Sequence, residues 1–312
     1  MTSLWSSRPE IGSIGLGLAA LGRPGYLNLG HRGDLGDDRS VEALRTHTHR
    51  VLDVAHAAGV RYFDAARSYG RAEEFLASWL ELRAPADVTV GSKWGYVYTA
   101  DWKVDADPPE VKDLSVENLR RQAAESRTLL GPAIDLYQIH SATIQSGVLE
   151  DGEVVEELAR LRAGGLCIGL SVSGPEQSQV IERALELGGF DTVQATWNLH
   201  ERSAETALAA AHDAGLGVIV KEALANGRLT ARGADPRLTS AATAAGTTPD
   251  ALAIAAVLAQ PWVDVVLSGA ASVSTLESNL AAREVQVDVS ELDGLREPGD
   301  EYWKRRSSMA WN

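Results

Sequence analysis

Short runs rich in β-branched residues alternate with segments of helical periodicity along almost the whole chain, and this alternation constrains the fold more than any other feature. The strand-like runs lie at residues 11–16, 61–64, 88–93, 134–140, 166–172, 192–196, 217–221 and 263–267. Apolar residues recur every three or four positions, as in helices, at residues 41–58, 72–82, 119–130, 154–161, 175–187, 203–214, 249–259 and 272–282. A closed parallel barrel has this rhythm, whereas a doubly wound sheet usually has fewer units. The sequence therefore predicts an α/β protein with one (β/α)8 TIM barrel domain over residues 1–312.

Two further observations refine this prediction. Gly15, Gly17 and Gly22 do not form a GxGxxG motif, and the next predicted helix begins only at Val41, so a Rossmann phosphate loop is not indicated. The loop 95–113 and the tail 297–312 are the longest irregular segments after the first loop. Because long loops in compact domains are often functional covers, we expect both to lie near the active site.

Charge and composition narrow the class of partner. The net charge of −14 argues against binding to nucleic acid or to an anionic membrane. The one cysteine, Cys167, excludes an intramolecular disulfide and a cysteine-rich metal site, which favours the cytoplasm. The apolar run 11–21 is interrupted by glycines and is interpreted as a strand and turn, and no run reaches the roughly 20 residues of a membrane span. We expect small-molecule partners, no metal and no membrane; the oligomeric state stays open.

Polar residues end several of the predicted strands. Asp64, Lys93, His140 and Lys221 each follow an apolar run, and Tyr69 lies in the loop after Asp64. Active sites of such barrels form at the carboxyl ends of the strands. If these groups converge, Lys93 is expected to pair with Asp64 and to lower the pKa of Tyr69, while a neutral His140 orients a carbonyl. Each residue alone has a structural explanation, but the set at successive strand ends predicts carbonyl reduction with Tyr69 as proton donor.

At these residues the chain resembles the aldo-keto reductase family. The resemblance rests on Phe-Asp-Ala-Ala-Arg-Ser-Tyr-Gly at residues 63–70, on Gly-Ser-Lys ending at Lys93, and on Asp-Leu-Tyr-Gln-Ile-His ending at His140. It implies metal-free hydride transfer between an aldehyde or ketone, including a sugar, and the alcohol. It also implies a nicotinamide cofactor bound without a Rossmann fold, Tyr69 as general acid or base, and Asp64 among the catalytic residues.

The resemblance extends to cofactor-binding positions. It implies that Ser171 and Gln194 contact the nicotinamide carboxamide, although Val172 replaces the asparagine that the family commonly has after this serine. Lys221 takes the place of an aromatic residue that often stacks on nicotinamide. The phosphate and adenine end is assigned to Gly269, Ser272, Glu277 and Asn279. The family favours NADP(H), but this segment lacks the usual basic residue, so NAD(H) is the alternative, with Arg228 or Arg283 as substitute phosphate ligands.

The sequence leaves alternatives open for the residues of the substrate pocket and for the function. Trp94, Tyr96 and Trp102 are expected to wall the substrate pocket, and core packing explains any one of these aromatic residues equally well. A Schiff-base lyase or aldolase is a second function, because Lys93 and Lys221 both end barrel strands. A third is an accessory subunit that holds cofactor and turns over little.

Overall fold

A computed structural model describes residues 12–311, and in it eight parallel strands close into a barrel. The described residues contain ten strands, of which β4 and β5 lie outside the barrel: β1 Ile14–Gly17, β2 Tyr62–Asp64, β3 Thr89–Trp94, β4 Tyr96–Tyr98, β5 Glu110–Lys112, β6 Ile134–Ala142, β7 Cys167–Val172, β8 Thr192–Thr196, β9 Gly217–Lys221 and β10 Val265–Ser268. Around the barrel the order is β1, β2, β3, β6, β7, β8, β9, β10 and back to β1. The predicted barrel is confirmed, and the predicted strands agree within a few residues; Ile11 of the first lies outside the described residues.

Helices follow the barrel strands and cover them. They are α1 His31–Leu35, α2 Val41–Ala57, α3 Ala72–Arg83, α4 Val116–Leu130, α5 Gly152–Ala163, α6 Gln177–Leu187, α7 Glu205–Asp213, α8 Pro236–Ala244, α9 Pro249–Leu258, α10 Val273–Leu280 and α11 Gly299–Ser307. Local sequence explains several starts: the Ser115 hydroxyl accepts from the Asn118 amide at the start of α4, and Thr248 caps α9 before Pro249. The caps place these helices where the periodicity predicts them.

Packing inside the barrel leaves room for one tyrosine that supports the site. A β-carbon at Gly91 would overlap the Tyr62 hydroxyl. Tyr62 is fully buried, and its hydroxyl donates to Asp64 at the end of the same strand, 2.9 Å away. The glycine in β3 therefore lets a buried phenol reach the carboxylate.

Two segments that the sequence describes as irregular contain regular structure. Within 95–113, β4 and β5 form an antiparallel hairpin that pairs Tyr96 with Lys112. The tail contains α11, which buries Tyr302 and Trp303 in a cluster of apolar side chains from α8, α9 and the segments that follow β8 and β9. Both elements are short and are held by tertiary contacts, so periodicity does not predict them.

The lengths and the apolar composition of the helices bear on whether any of them could cross a membrane. No single helix among residues 12–311 has the length and apolar composition to cross a bilayer, and α8 with α9, bent by 80° at their break, meets those criteria jointly.

Candidate active site

Asp64, Tyr69, Lys93 and His140 meet at the carboxyl end of the barrel. Asp64 ends β2, Lys93 lies in β3 and His140 in β6, three strands that are neighbours in the barrel. The Tyr69 hydroxyl lies 3.5 Å from the Lys93 ammonium and 3.4 Å from Nε2 of His140. Tertiary structure therefore brings together the four residues that the sequence nominated.

Asp64 and Lys93 form a buried ion pair with few unsatisfied groups. Their side chains are 2% and 0% exposed and in direct contact. The ammonium also donates to the Ala65 carbonyl at 3.0 Å. The other carboxylate oxygen accepts from three uncharged donors, which are Tyr62 at 2.9 Å, Gln138 at 3.2 Å and Gln194 at 3.0 Å. This network fixes the lysine beside Tyr69 and compensates the desolvated charges.

The pKa of Tyr69 moves in the direction opposite to the expected one. Burial raises the pKa above its ordinary value, the Asp64 carboxylate raises it further, and Arg23 opposes the change. The expected net lowering of this pKa is wrong, because Lys93 contacts Asp64 and the favourable field of its ammonium is outweighed by burial and by the carboxylate. Tyr69 is thus a fully protonated phenol at neutral pH.

His140 is neutral, as the sequence predicts. Burial lowers its pKa well below the ordinary value, and the charges of Lys93, Lys221 and Arg23 lower it further. Its Nδ1 faces the Ser68 hydroxyl at 3.4 Å. A neutral imidazole beside Tyr69 can donate to or accept from a substrate oxygen without adding charge to the site.

These residues border a cavity of about 390 Å³ at the end of the barrel. Its lining includes the following predicted site residues: Asp64, Tyr69, Tyr96, His140, Ser171, Gln194, Lys221 and Gly269. The hairpin also contributes Glu110, and the C-terminal segment contributes Arg306 and Trp311. Loop and tail therefore reach the cavity.

Two of the predicted substrate-pocket residues do not line the cavity. Trp94 is fully buried in the core, because side chains alternate along a strand and the inward position belongs to Lys93. The indole nitrogen of Trp102 donates to the Arg39 carbonyl at 2.8 Å, and its ring packs at 6.2 Å from that of Phe75. Both tryptophans support the surrounding structure instead.

Arg23 is a cavity residue that the sequence does not reveal. It lies in the loop after β1, is 2% exposed and pairs with Glu110 at 3.0 Å. Its guanidinium carbon lies 5.2 Å from the ring centre of Tyr69 and 4.2 Å from that of Trp311. A basic residue in a long polar loop carries no signal of this position, since the contact joins residues far apart in the chain.

The cavity contains polar atoms suited to a carboxamide. The Ser171 hydroxyl is buried and has no hydrogen-bond partner among the described residues, and the same holds for the Asn226 side-chain oxygen. Both residues line the cavity. A nicotinamide carboxamide supplies donors and an acceptor for such groups. Gln194 also lines the cavity, but its amide nitrogen is used by Asp64.

A second cavity of about 270 Å³ adjoins the first and shares Asn28, Leu224 and Gly269 with it. Asn279 and Thr275 of α10 line it, and Ser272 caps this helix by accepting from the Thr275 amide at 3.2 Å. Glu277 is exposed and lines neither cavity. The two cavities share lining residues and together form one extended space.

Neither candidate arginine lies at the second cavity. Arg228 pairs with Glu297, and Arg283 donates to the Ala58 carbonyl at 2.7 Å. Arg232 is the basic residue in the lining, and its guanidinium forks onto both oxygens of Asp34. A second carboxylate, Asp250, lies in the same wall.

Groups of acidic, histidine and cysteine side chains show no metal-binding arrangement. Between residues 12 and 311, no cluster of three or more of them is placed to hold an ion.

Comparison with known proteins decides the family. The model of the aldo/keto reductase family matches residues 13–298. The chain belongs to this family. As an aldo/keto reductase family member it is an oxidoreductase, and the family interconverts small-molecule carbonyl compounds and alcohols with nicotinamide cofactors.

Members of the family that are similar to this chain have different named substrates. An NADH-specific methylglyoxal reductase from Escherichia coli (strain K12) is 27% identical over 183 residues, which cover 56% of this chain and 56% of that protein. A D-threo-aldose 1-dehydrogenase from Pseudomonas sp is 27% identical over 244 residues, covering 72% and 71%. A solved aldo-keto reductase from Bacillus halodurans has a TM-score of 0.69 at 20% identity, covering 96% of this chain and 93% of that chain, a likeness of fold alone.

Proposed function

We propose that this protein reduces an aldehyde or ketone to the alcohol, or catalyses the reverse, with Tyr69 as the general acid or base. The observation that carries the proposal is the Tyr69 hydroxyl at the cavity wall, within 3.5 Å of both Lys93 and His140. A bound nicotinamide dinucleotide supplies or accepts the hydride. The proposed substrates include sugars, and a relative that is named for an aldose supports this part of the proposal.

Each catalytic side chain has one role in reduction. Tyr69 is a phenol that stays protonated at neutral pH, since burial moves its pKa further above that range, and its hydroxyl at the cavity wall can donate a proton to the carbonyl oxygen. The phenolate that results is stabilised by the Lys93 ammonium at 3.5 Å and by Arg23 beside the ring. His140, held neutral by burial, orients the carbonyl, and Asp64 holds Lys93 in position.

The charged residues that line the second cavity are the basis for choosing between NAD(H) and NADP(H). Family resemblance favours NADP(H), but among residues 12–311 the one cation in the lining, Arg232, is engaged by Asp34, and Asp250 lines the same cavity. The carboxylates would repel a 2′-phosphate placed there, whereas a ribose hydroxyl could donate a hydrogen bond to them. We therefore propose NAD(H), and one relative is named as NADH-specific.

The remaining roles follow from the same cavity. Ser171 and Asn226 would hold the carboxamide, and Thr275 and Asn279 of α10 would border the adenosine end. Tyr96 and Trp311 would cover the substrate, in agreement with the expected role of loop and tail. The single cysteine favours the cytoplasm.

The test is a titration of the purified protein with NADH and then NADPH, followed by quenching of tryptophan emission. We expect tight binding of NADH, weaker binding of NADPH and turnover with an added carbonyl compound. Binding of neither dinucleotide would contradict the proposal. Binding without turnover on any carbonyl would favour the accessory subunit instead.

One observation favours the lyase as a second candidate. Burial lowers the pKa of Lys221 to about 8, and a lysine with such a pKa is a better nucleophile at neutral pH than an ordinary one. Borohydride trapping of a carbonyl substrate on Lys221, detected by mass, would support this function. Absence of an adduct with every carbonyl substrate tried would exclude it.

A further inference from the structure

The charged groups around the main cavity are almost fully paired. Three carboxylates have ion-pair partners there: Asp64 with Lys93, Glu110 with Arg23, and Glu222 with Arg306. Lys221 lines the same cavity, and the salt bridges within residues 12–311 do not include it. One ammonium therefore remains after the pairs are counted.

Lys221 is directed into the reacting part of the cavity. It ends β9 and lies opposite Thr196 of β8, whose hydroxyl is 3.4 Å from the ammonium. Ser171 and Gln194 of the neighbouring strands share the lining with it. Its charge contributes to the lowered pKa of His140, so its field reaches the space in front of Tyr69.

A nicotinamide ring must lie in this space if Tyr69 protonates the oxygen of the carbonyl that receives the hydride. The carbon that accepts the hydride is bonded to that oxygen, so the ring has to lie in the cavity close to Tyr69 and His140. Lys221 lines this cavity together with the partnerless Ser171 hydroxyl. The reduced ring is neutral, whereas the oxidised ring carries one positive charge.

We propose that Lys221 is a specificity-determining residue that makes the cavity bind the reduced dinucleotide in preference to the oxidised one. This inference rests on the proposed function and adds to it a preferred redox form of the cofactor. An ammonium near a neutral ring costs no repulsion, while an ammonium near a pyridinium does. Two unit charges about 10 Å apart at an effective dielectric constant of about 20 repel enough to change affinity about tenfold.

The other charges near Lys221 do not replace its effect. Glu222 is adjacent in sequence and attracts both the Lys221 ammonium and a pyridinium ring. Arg306 is bound to Glu222 at 2.6 Å and offsets its field. Lys93 and Asp64 face Lys221 as a contact pair. His140 is neutral because burial lowers its pKa, and Tyr69 is neutral because burial raises its pKa. Lys221 is thus the charge in this group that varies near neutral pH.

The experiment measures dissociation constants of NADH and NAD⁺ by calorimetry for the wild-type protein, Lys221→Met and Lys221→Arg. We expect the wild type to bind NADH at least about tenfold more tightly than NAD⁺ at neutral pH. Lys221→Met should tighten NAD⁺ binding about tenfold and leave NADH binding within about twofold. Lys221→Arg keeps the charge and should keep the preference.

A pH series on the wild-type protein gives an independent measurement. Because burial lowers the pKa of Lys221 to about 8, the amine loses its charge as the pH rises through that value. Affinity for NAD⁺ should increase from about pH 7 to about pH 9 in the wild type and stay level in Lys221→Met. This test does not depend on the folding of a variant.

The outcomes separate the inference from the function on which it rests. Failure of the wild type to bind either redox form would refute the proposed function. Binding of both forms, with equal shifts or no shift in Lys221→Met and no pH-dependent change in NAD⁺ affinity, would overturn the role of Lys221 alone.

Discussion

Removal of Lys93 is expected to destabilise the fold because it leaves a carboxylate buried without its cation. In Lys93→Met the Asp64 side chain, 2% exposed, keeps its contacts with Tyr62, Gln138 and Gln194. Breaking a buried ion pair from one side usually costs about 3–5 kcal/mol. Since three neutral donors still face the carboxylate, we expect the lower end of that range, about 3 kcal/mol.

The assay is urea unfolding at neutral pH, followed by tryptophan fluorescence, for the wild type, Lys93→Met, Asp64→Asn and the double variant. Asp64→Asn leaves an unpaired ammonium and should also be destabilising. The double variant removes both charges, so its free energy of unfolding should exceed that of either single variant by about 1 kcal/mol or more. Single variants within about 0.5 kcal/mol of the wild type, or costs that simply add in the double variant, would refute the reasoning.

Three other predictions concern the chemistry. Tyr69→Phe should abolish turnover while NADH still binds, since only the proton donor is lost; turnover near that of the wild type would contradict the assignment. Because the pKa of Tyr69 is raised and that of His140 lowered by burial, kcat/KM for reduction should stay level between about pH 6 and pH 8, while alcohol oxidation, which needs the phenolate, should increase with pH. A fall in reduction rate across that interval would show that another group titrates. Asp34→Asn releases Arg232 from its partner and should tighten NADPH binding about tenfold with little change for NADH; equal affinities before and after would remove Arg232 from the cofactor site.

The fold follows from local information. Alternating strand and helix periodicity is a property of short windows, and eight such units leave few arrangements in which every apolar face is covered. The positions of Asp64, Lys93 and His140 follow from the same pattern, because each lies within two residues of the carboxyl end of its strand. Because side chains alternate along β3, the sequence also indicates that Trp94 points away from Lys93 and into the core. This signal is missed when each aromatic residue is considered on its own.

Properties that depend on contacts between distant residues cannot be predicted from short windows of the sequence. The hairpin of β4 and β5 pairs residues 12 or more positions apart, and α11 packs its aromatic side chains into a cluster from distant segments. Arg23 reaches Tyr69 and Trp311 across most of the chain length, so no window of sequence contains that meeting.

Strand periodicity and strand-end position are local properties, and from them the sequence predicts the barrel and the four residues near its carboxyl end. The raised pKa of Tyr69, the pairing of Arg232 with Asp34 and the lack of an ion-pair partner for Lys221 among residues 12–311 emerge only in the folded chain. Burial and Coulomb interactions depend on every neighbour in space, and the neighbours of these groups are assembled from the whole length of the chain.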